Sequence, residues 1–422
     1  MKRHLLLYED PRWERLSPVA DLLPVPGLRF GASTLGERWV AALGLPLFAI
    51  EARADVLAAW REPLALAVGR PAADDEVLAV NAAALPGGWL AALAGSGTAA
   101  LFVAGGEPVA ARLRFGDLAP CLGAGADFEQ RLADLGLART EVEAGSLRWP
   151  WDLVTHNAAA LEADLAGRPG RIAGAVDANV ALLERARITV EAGARVDPFA
   201  VLDAREGPVL IGRDAVVLAH SVIVGPCAIG AGSQVLGGVV RHSSVGPQCR
   251  LAGEVEDSVW QGWANKRHHG FVGHSVVGEW VNFGALTTTS DLKNNYGPVR
   301  VWAAGRERES GSKKAGSIVG AHVKTGIGTL LPTGCSIGVG ANLFGGGRFA
   351  PKRLPAFSWW DGERTLEHRL EAFLETATVA MSRRGITLQV ADAALLRGLF
   401  AASAGERERR IADGPGAPAG RG

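Results

Sequence analysis

The chain has no excess charge of either sign. Lys and Arg number 44, Asp and Glu also 44, so the formal net charge at neutral pH is zero. No basic or acidic field is left to recruit nucleic acid or a membrane surface. Cysteine is scarce. Cys121, Cys227, Cys249 and Cys335 lie far apart with no CxxC pair, which excludes a disulfide framework and a ribbon-type zinc site and predicts free thiols in a reducing, cytoplasmic setting. Long apolar runs are absent too. The start, MKRHLLLYEDPRWE, carries only three consecutive leucines, too few for a signal peptide, and no later stretch reaches membrane-spanning length. With 422 residues the chain is too long for one ordinary core, and two or more domains are expected.

What the sequence does have is a period. Branched apolar residues fall six apart at Val190, Val196 and Leu202, and again at Ile211, Val217, Ile223, Ile229 and Val235. After one slip come Val245 and Leu251. Glycine follows many such positions, as in Ile211-Gly212, Ile229-Gly230, Val245-Gly246 and Ile337-Gly338. A six-residue apolar period with adjacent glycine is the mark of a β-helix with three short faces per coil. The apolar residue points into a narrow core, and glycine serves positions where a side chain would crowd. The signal spans roughly 188–349.

The flanks differ in texture. Residues 1–147 alternate short apolar strands (HLLLYED, LPLFAIEA, EVLAVNAA, AALFVAGG) with Ala/Leu-rich segments, an α/β pattern with a partly parallel sheet. A linker-helix region follows at 148–187, with Pro150 near the start of its helix and Gly167 at its end. Helices are expected over 350–410, the first a long amphipathic one starting in FSWWDGERTLEHRLEAF, and the Pro/Gly-rich tail 411–422 reads as disordered.

Asn282 to Gly297, NFGALTTTSDLKNNYG, interrupts the hexads with three amides, a phenol and a lysine in sixteen residues. A solenoid coil has no structural need for such a cluster, so it reads as a substrate loop on a rigid scaffold. Asn294, Asn295 and Tyr296 could equally cap a loop. His268, among Lys266, Arg267 and His269, reads either as a functional imidazole or as a solvated basic turn. Trp260, Trp263 and Trp280 suit seam-filling better than ligand stacking.

The segment GEVEDSVWQGWANKRHHGFVGHSVVGEWVNFGALTTTSDLKNNYG, the opening LLLYEDPRWERL with LRFGASTLGERW, and WPWDLVTHNAAALEADL resemble the GlmU-like sugar nucleotidyltransferase family. That resemblance implies a nucleotidyltransferase-like α/β domain followed by a left-handed β-helix that trimerises. The β-helix would transfer acetyl from acetyl-CoA to an amino-sugar phosphate. Nucleotidyl transfer from a nucleoside triphosphate would follow, toward UDP-N-acetylglucosamine. The GlmU pattern NIGAGT…NYDG is matched by NFGALT…NNYG, which puts Asn282, Asn295 and Tyr296, with Asn294 beside them, among substrate contacts. By the same resemblance His268 is the general base, Arg241 the phosphate-binding arginine, and Lys266 the stand-in for a lysine that the family carries upstream, where this chain has Glu256 and Asp257. The glycine-rich LAAGxGTRM phosphate loop is missing. In its place Glu9 and Asp10 are candidate Mg²⁺ ligands and Arg29 a candidate phosphate contact. Two other classes were weighed. One is a non-catalytic sugar-nucleotide-binding scaffold. The other is a zinc hydratase of carbonic-anhydrase type, for which His269 and His274 have the H-x-x-x-x-H spacing while His220 lacks its partner at Gly225.

Overall fold

The computed structural model describes residues 2–414 apart from Glu62, Val68 and Ser96. It separates into two compact units. One comprises Met1–Leu16, Leu22–Leu28 and Ser33–Arg148. The other comprises Ser17–Asp21, Arg29–Ala32 and Trp149–Gly422.

The first unit is built on a six-stranded mixed sheet. Its strands are β1 (Arg3–Tyr8), β2 (Leu47–Glu51), β3 (Glu76–Asn81), β4 (Ala100–Ala104), β5 (Glu107–Arg114) and β6 (Ala138–Glu141), in the order β2-β1-β3-β5-β4-β6. β1 runs parallel to β2 and β3, while β5 is antiparallel to β3 and β4. The run LLLY is apolar throughout because both faces of β1 are covered. Leu5 and Leu7 join Trp39, Leu78 and Phe102 on one face, and Leu6 and Tyr8 join Val77, Leu101 and Phe128 on the other. Helix Leu35–Leu43 starts at a capping box, Thr34 with Glu37, and stops at Gly44 in the left-handed conformation. Trp39 on that helix donates its indole N–H to the Ala84 carbonyl at 2.9 Å.

The second unit is a parallel β-helix. Nine parallel strands stack along one face: Ile188–Val190, Val209–Ile211, Cys227–Ile229, Ser244–Val245, Val259–Trp260, Val276–Val277, Ile318–Val319, Ser336–Ile337 and Arg353–Leu354. Their starts fall 15 to 21 residues apart except across one interval of 42, where an insertion leaves the coil. The hexad residues Val190, Val196, Leu202, Ile211, Val217, Ile223, Ile229, Val235, Val245 and Leu251 are all buried in a single core. Glycine is required for crowding between coils. A Cβ on Gly246 would stand 2.3 Å from the Gln261 carbonyl oxygen, and one on Gly338 2.3 Å from the Ala356 nitrogen. The left-handed corners fall largely on other residues, among them Gln248, Trp263, Trp280 and His322.

Coils are also present outside the span that the hexads mark. Strands Ala175–Val176 and Ala181–Leu183 pair into the stack, and Ile172, Val176, Val180 and Leu182 pack on its core. At the other end FSWW is not helical. Ser358–Trp360 forms a strand, pairs with Asn342–Leu343, and puts Trp360 over the end of the core. The helices begin only at Leu370, as Leu370–Ser382, Val390–Ala402 and Ala404–Ala412. Of the tail read as disordered, 415–422 lies outside the described residues. The linker segment forms two short helices, Asp152–Thr155 and Asn157–Leu165, with Leu161 and Leu165 against Leu210 and Ala228 of the β-helix.

Candidate functional site

Asn282 sits in a column on one face of the β-helix. Backbone pairing stacks Arg250, Asn265, Asn282, Lys324 and Asn342 in successive coils. The Asn265 amide donates to the Asn282 carbonyl oxygen at 2.7 Å. Lys324 is half-buried, and that burial brings its ammonium down to about 8. His268 is exposed on a turn with Arg267 and His269. The turn is braced from behind. Lys266 is 1% exposed, and its ammonium donates to the carbonyls of Ala252 at 2.9 Å and His268 at 2.8 Å. Burial lowers this amine to about 8 as well. In this geometry Lys266 shapes the His268 turn from inside the coil, whereas the resemblance implied a lysine on the substrate side.

Arg241 ends the strand Gln234–Arg241 and pairs in register with Glu256 of the next coil. Its Nε is buried and has no hydrogen-bond partner among the described residues. The insertion leaves the coil at Asp291 and returns at Gly316, where the Ala315 N–H meets the Asp291 carbonyl at 2.9 Å and the Gly316 N–H meets the His274 carbonyl at 2.9 Å. Asn294, Asn295 and Tyr296 stand exposed on it. Asn295 Oδ1 accepts from the Gly297 N–H at 3.1 Å, and the Tyr296 N–H bonds to the Lys293 carbonyl at 2.9 Å. One asparagine therefore caps the turn, and the amide of Asn294 and the phenol of Tyr296 face solvent.

In the first unit, the carboxyl ends of β1 and β3 bring Asp10 and Asn81 together beside a cleft. Such clefts are where α/β sheets bind ligands. Its cations are Arg12, Arg15 and Arg148. Asp10 accepts from the Arg12 N–H at 2.7 Å, from the Arg12 guanidinium at 2.9 Å and from the Asn81 amide at 2.5 Å. Arg12 also reaches Glu129 at 2.6 Å. Burial pushes Glu129 up to about 7 against the pull of Arg12. The fully buried Tyr8 phenol is raised by burial, then by Glu129 and Asp10, and its hydroxyl has no hydrogen-bond partner among the described residues.

Residues 5–169 match a sugar nucleotidyl transferase family model. A bifunctional sugar-1-phosphate nucleotidylyltransferase/acetyltransferase from Sulfurisphaera tokodaii is 38% identical over 93 residues, covering 22% of this chain and 23% of its own. A bifunctional GlmU protein from Methanococcus aeolicus is 29% identical over 204 residues, 46% of this chain and 42% of its own. Over these stretches the chain is similar to GlmU-type proteins. It spans less than half the length of these curated relatives. Among solved structures, a UDP-N-acetylglucosamine acyltransferase from Arabidopsis aligns with 51% of this chain and 77% of its own at 15% identity, with a TM-score of 0.20.

The expected Mg²⁺ pair has other work. Glu9 is fully buried. One of its oxygens accepts from Arg53 Nε at 2.7 Å, and the other accepts from the Val25 N–H at 2.8 Å and Arg53 Nη2 at 3.1 Å. Asp10 is engaged by Arg12 and Asn81. Carboxylates saturated by guanidinium and amide donors fit ion pairs, and the adjacent cations oppose a divalent metal. Among the described residues no group of three or more His, Cys, Asp or Glu side chains is set to hold a metal ion. The zinc alternative fares no better, since His274 Nδ1 is paired with Asp291 at 2.7 Å. Arg29 belongs to the second unit, where its N–H donates to Gln261 Oε1 at 2.7 Å. The cleft cations were missed from sequence, although Arg12 and Arg15 directly follow the first strand, where a phosphate loop is usually sought.

Proposed function

We propose that the chain is a transferase of sugar-nucleotide synthesis. The β-helix moves an acetyl group from acetyl-CoA to an amino-sugar phosphate, with glucosamine-1-phosphate the first candidate. The first unit then transfers a nucleotidyl group to the acetylated sugar phosphate, giving UDP-N-acetylglucosamine or a relative. The observation that carries this reading is the exposed His268 turn, braced by Lys266, on a β-helix that also presents Asn282 and the Asn294–Tyr296 loop. His268 takes a proton from the sugar ammonium, the freed amine attacks the thioester, the C–N bond forms and the C–S bond breaks, the second proton lost by the nitrogen goes to the departing thiolate, and His268 passes its own proton to solvent. Imidazole suits that task because it titrates near working pH. Arg241, with its unpaired buried Nε, supplies the phosphate contact.

His268→Ala should lower acetyl transfer by roughly 10²–10⁴ with the folded state intact. Release of CoA thiol is followed over a panel of amino-sugar phosphates, and unchanged turnover removes His268 from the mechanism. For the first unit, Arg12, Arg15 and Arg148 give the cleft its affinity for phosphates. The test is pyrophosphate release from each nucleoside triphosphate, supplied as its Mg²⁺ salt, with N-acetylglucosamine-1-phosphate. A second reading, a sugar-nucleotide-binding scaffold without nucleotidyl transfer, is favoured in this unit by the saturation of Glu9 and Asp10. Ligand binding without pyrophosphate would support it. The flat coil faces are suited to a homotrimer, and a light-scattering mass of one chain would refute that assembly. Four free, buried cysteines are in keeping with the cytoplasm.

A further inference from the structure

Five ionisable side chains line up along one corner of the β-helix. Glu206 Oε2 is 3.0 Å from His242 Nε2, and His242 Nδ1 is 3.7 Å from Asp257 Oδ1. Asp257 Oδ2 is 3.6 Å from His274 Nε2, and His274 Nδ1 is 2.7 Å from Asp291 Oδ2. Carboxylate and imidazole alternate from end to end. His242, Asp257 and His274 hold left-handed corners, with φ of 49°, 44° and 46°, a conformation rarely kept by non-glycine residues without compensation. The last member, Asp291, is the residue at which the insertion leaves the coil. Next to it on the returning strand, Lys314 lies 3.8 Å from Glu256.

We infer that this column is the fastening of the 291–316 insertion, and that His274 is the positioning residue that fixes the Asn294–Tyr296 loop for the acceptor. The inference rests on the proposed acetyl transfer only for the identity of the acceptor, since the fastening itself is independent of it. His274 lies between two carboxylates, so its charged ring is attracted by both, and each carboxylate is in turn held by an imidazole. Burial opposes ionisation of Asp291, and the His274 bond and the charges of His274 and Lys314 outweigh it, leaving that carboxyl below the usual range. Asp257 is shifted the other way, raised by burial against His274 and His242. The charged groups facing the column are Glu256 and Lys314 besides its own members.

The experiment compares wild type with His274→Gln and Asp291→Asn in the full chain. The first readout is hydrogen exchange of amides 292–314, as protection factors from pH 5.5 to 8. Both variants should exchange at least about tenfold faster than wild type there, with no change in the coil amides. The second readout is the KM for the amino-sugar phosphate, which should rise at least about tenfold with kcat changed less. Equal exchange in variants and wild type overturns the fastening, and so does acceleration spread over the whole β-helix, which marks a merely structural role. Faster loop exchange in a protein that transfers no acetyl group upholds the fastening and overturns only the proposed reaction.

Discussion

Lys266 offers a sharp test of how the β-helix supports its reactive turn. Its amine is inside the coil, bonded to two carbonyls, and burial lowers it from 10.5 to about 8. At 1.36 kcal/mol per unit this corresponds to about 3 kcal/mol between the charged and neutral forms. The sign follows from proton binding. Between pH 8 and 10.5 the unfolded chain holds this proton and the folded chain has released it, so folding stability rises with pH in that window. Below pH 8 the buried charge costs about the full amount, offset by charge-assisted hydrogen bonds worth roughly 1.5–3 kcal/mol each. Lys266→Met keeps the shape and removes both terms. At pH 7.5 the variant should therefore unfold close to wild type, and at pH 10 wild type should be the more stable by up to about 3 kcal/mol. Chemical denaturation of both proteins from pH 7.5 to 10 measures this. Parallel stability curves would show that the amine is not held in the coil as described. The variant also frees the His268 carbonyl, so acetyl transfer should fall even at pH 7.5, where stability is unchanged.

Glu129, pushed up to about 7 from 4.5 by burial, keeps its proton in the folded state where the unfolded chain has lost it. The first unit should lose stability as pH rises from about 4.5 to 7, and Glu129→Gln should flatten that slope in thermal melts. Ile229→Ala opens a cavity in the fully buried core and should cost about 2–5 kcal/mol in denaturant unfolding. Gly246→Ala should be worse than its size suggests, since its Cβ would meet the backbone of the next coil at 2.3 Å; a normal yield of stable protein would contradict that packing. Arg12→Ala breaks the bonds to both Asp10 and Glu129 and should weaken nucleotide binding in the cleft, as titration calorimetry would show.

The β-helix was legible because its code is local. Every hexad residue from Val190 to Leu251 lands in the core, as a six-residue period requires. The first coils were hidden because Ala175, Ala181 and their neighbours lack the branched-residue-plus-glycine signature, and FSWW looked like a helix start because its neighbours are helix formers. The site was half legible. Asn282, His268 and the loop stood out as polar residues in an apolar pattern. The inward turn of Lys266 did not, because the same residue type serves as a surface charge or a buried brace depending on backbone direction alone. The column from Glu206 to Asp291 was invisible for another reason. Its last four members are 15 to 17 residues apart, so only coil stacking makes them neighbours. Glu9 and Asp10 look like metal ligands in the sequence because Arg53 and Asn81, their partners, are far from them along the chain.

The insertion departs and returns at one point, with the Ala315 N–H on the Asp291 carbonyl. The strands on either side, Val276–Val277 and Ile318–Val319, pair in register as if nothing stood between them. The stack is therefore indifferent to the length and content of what is carried there. Such a socket can hold segments of different length while the scaffold is kept. The same point is where a foreign segment could be grafted, with Asp291 and Gly316 as the natural seams.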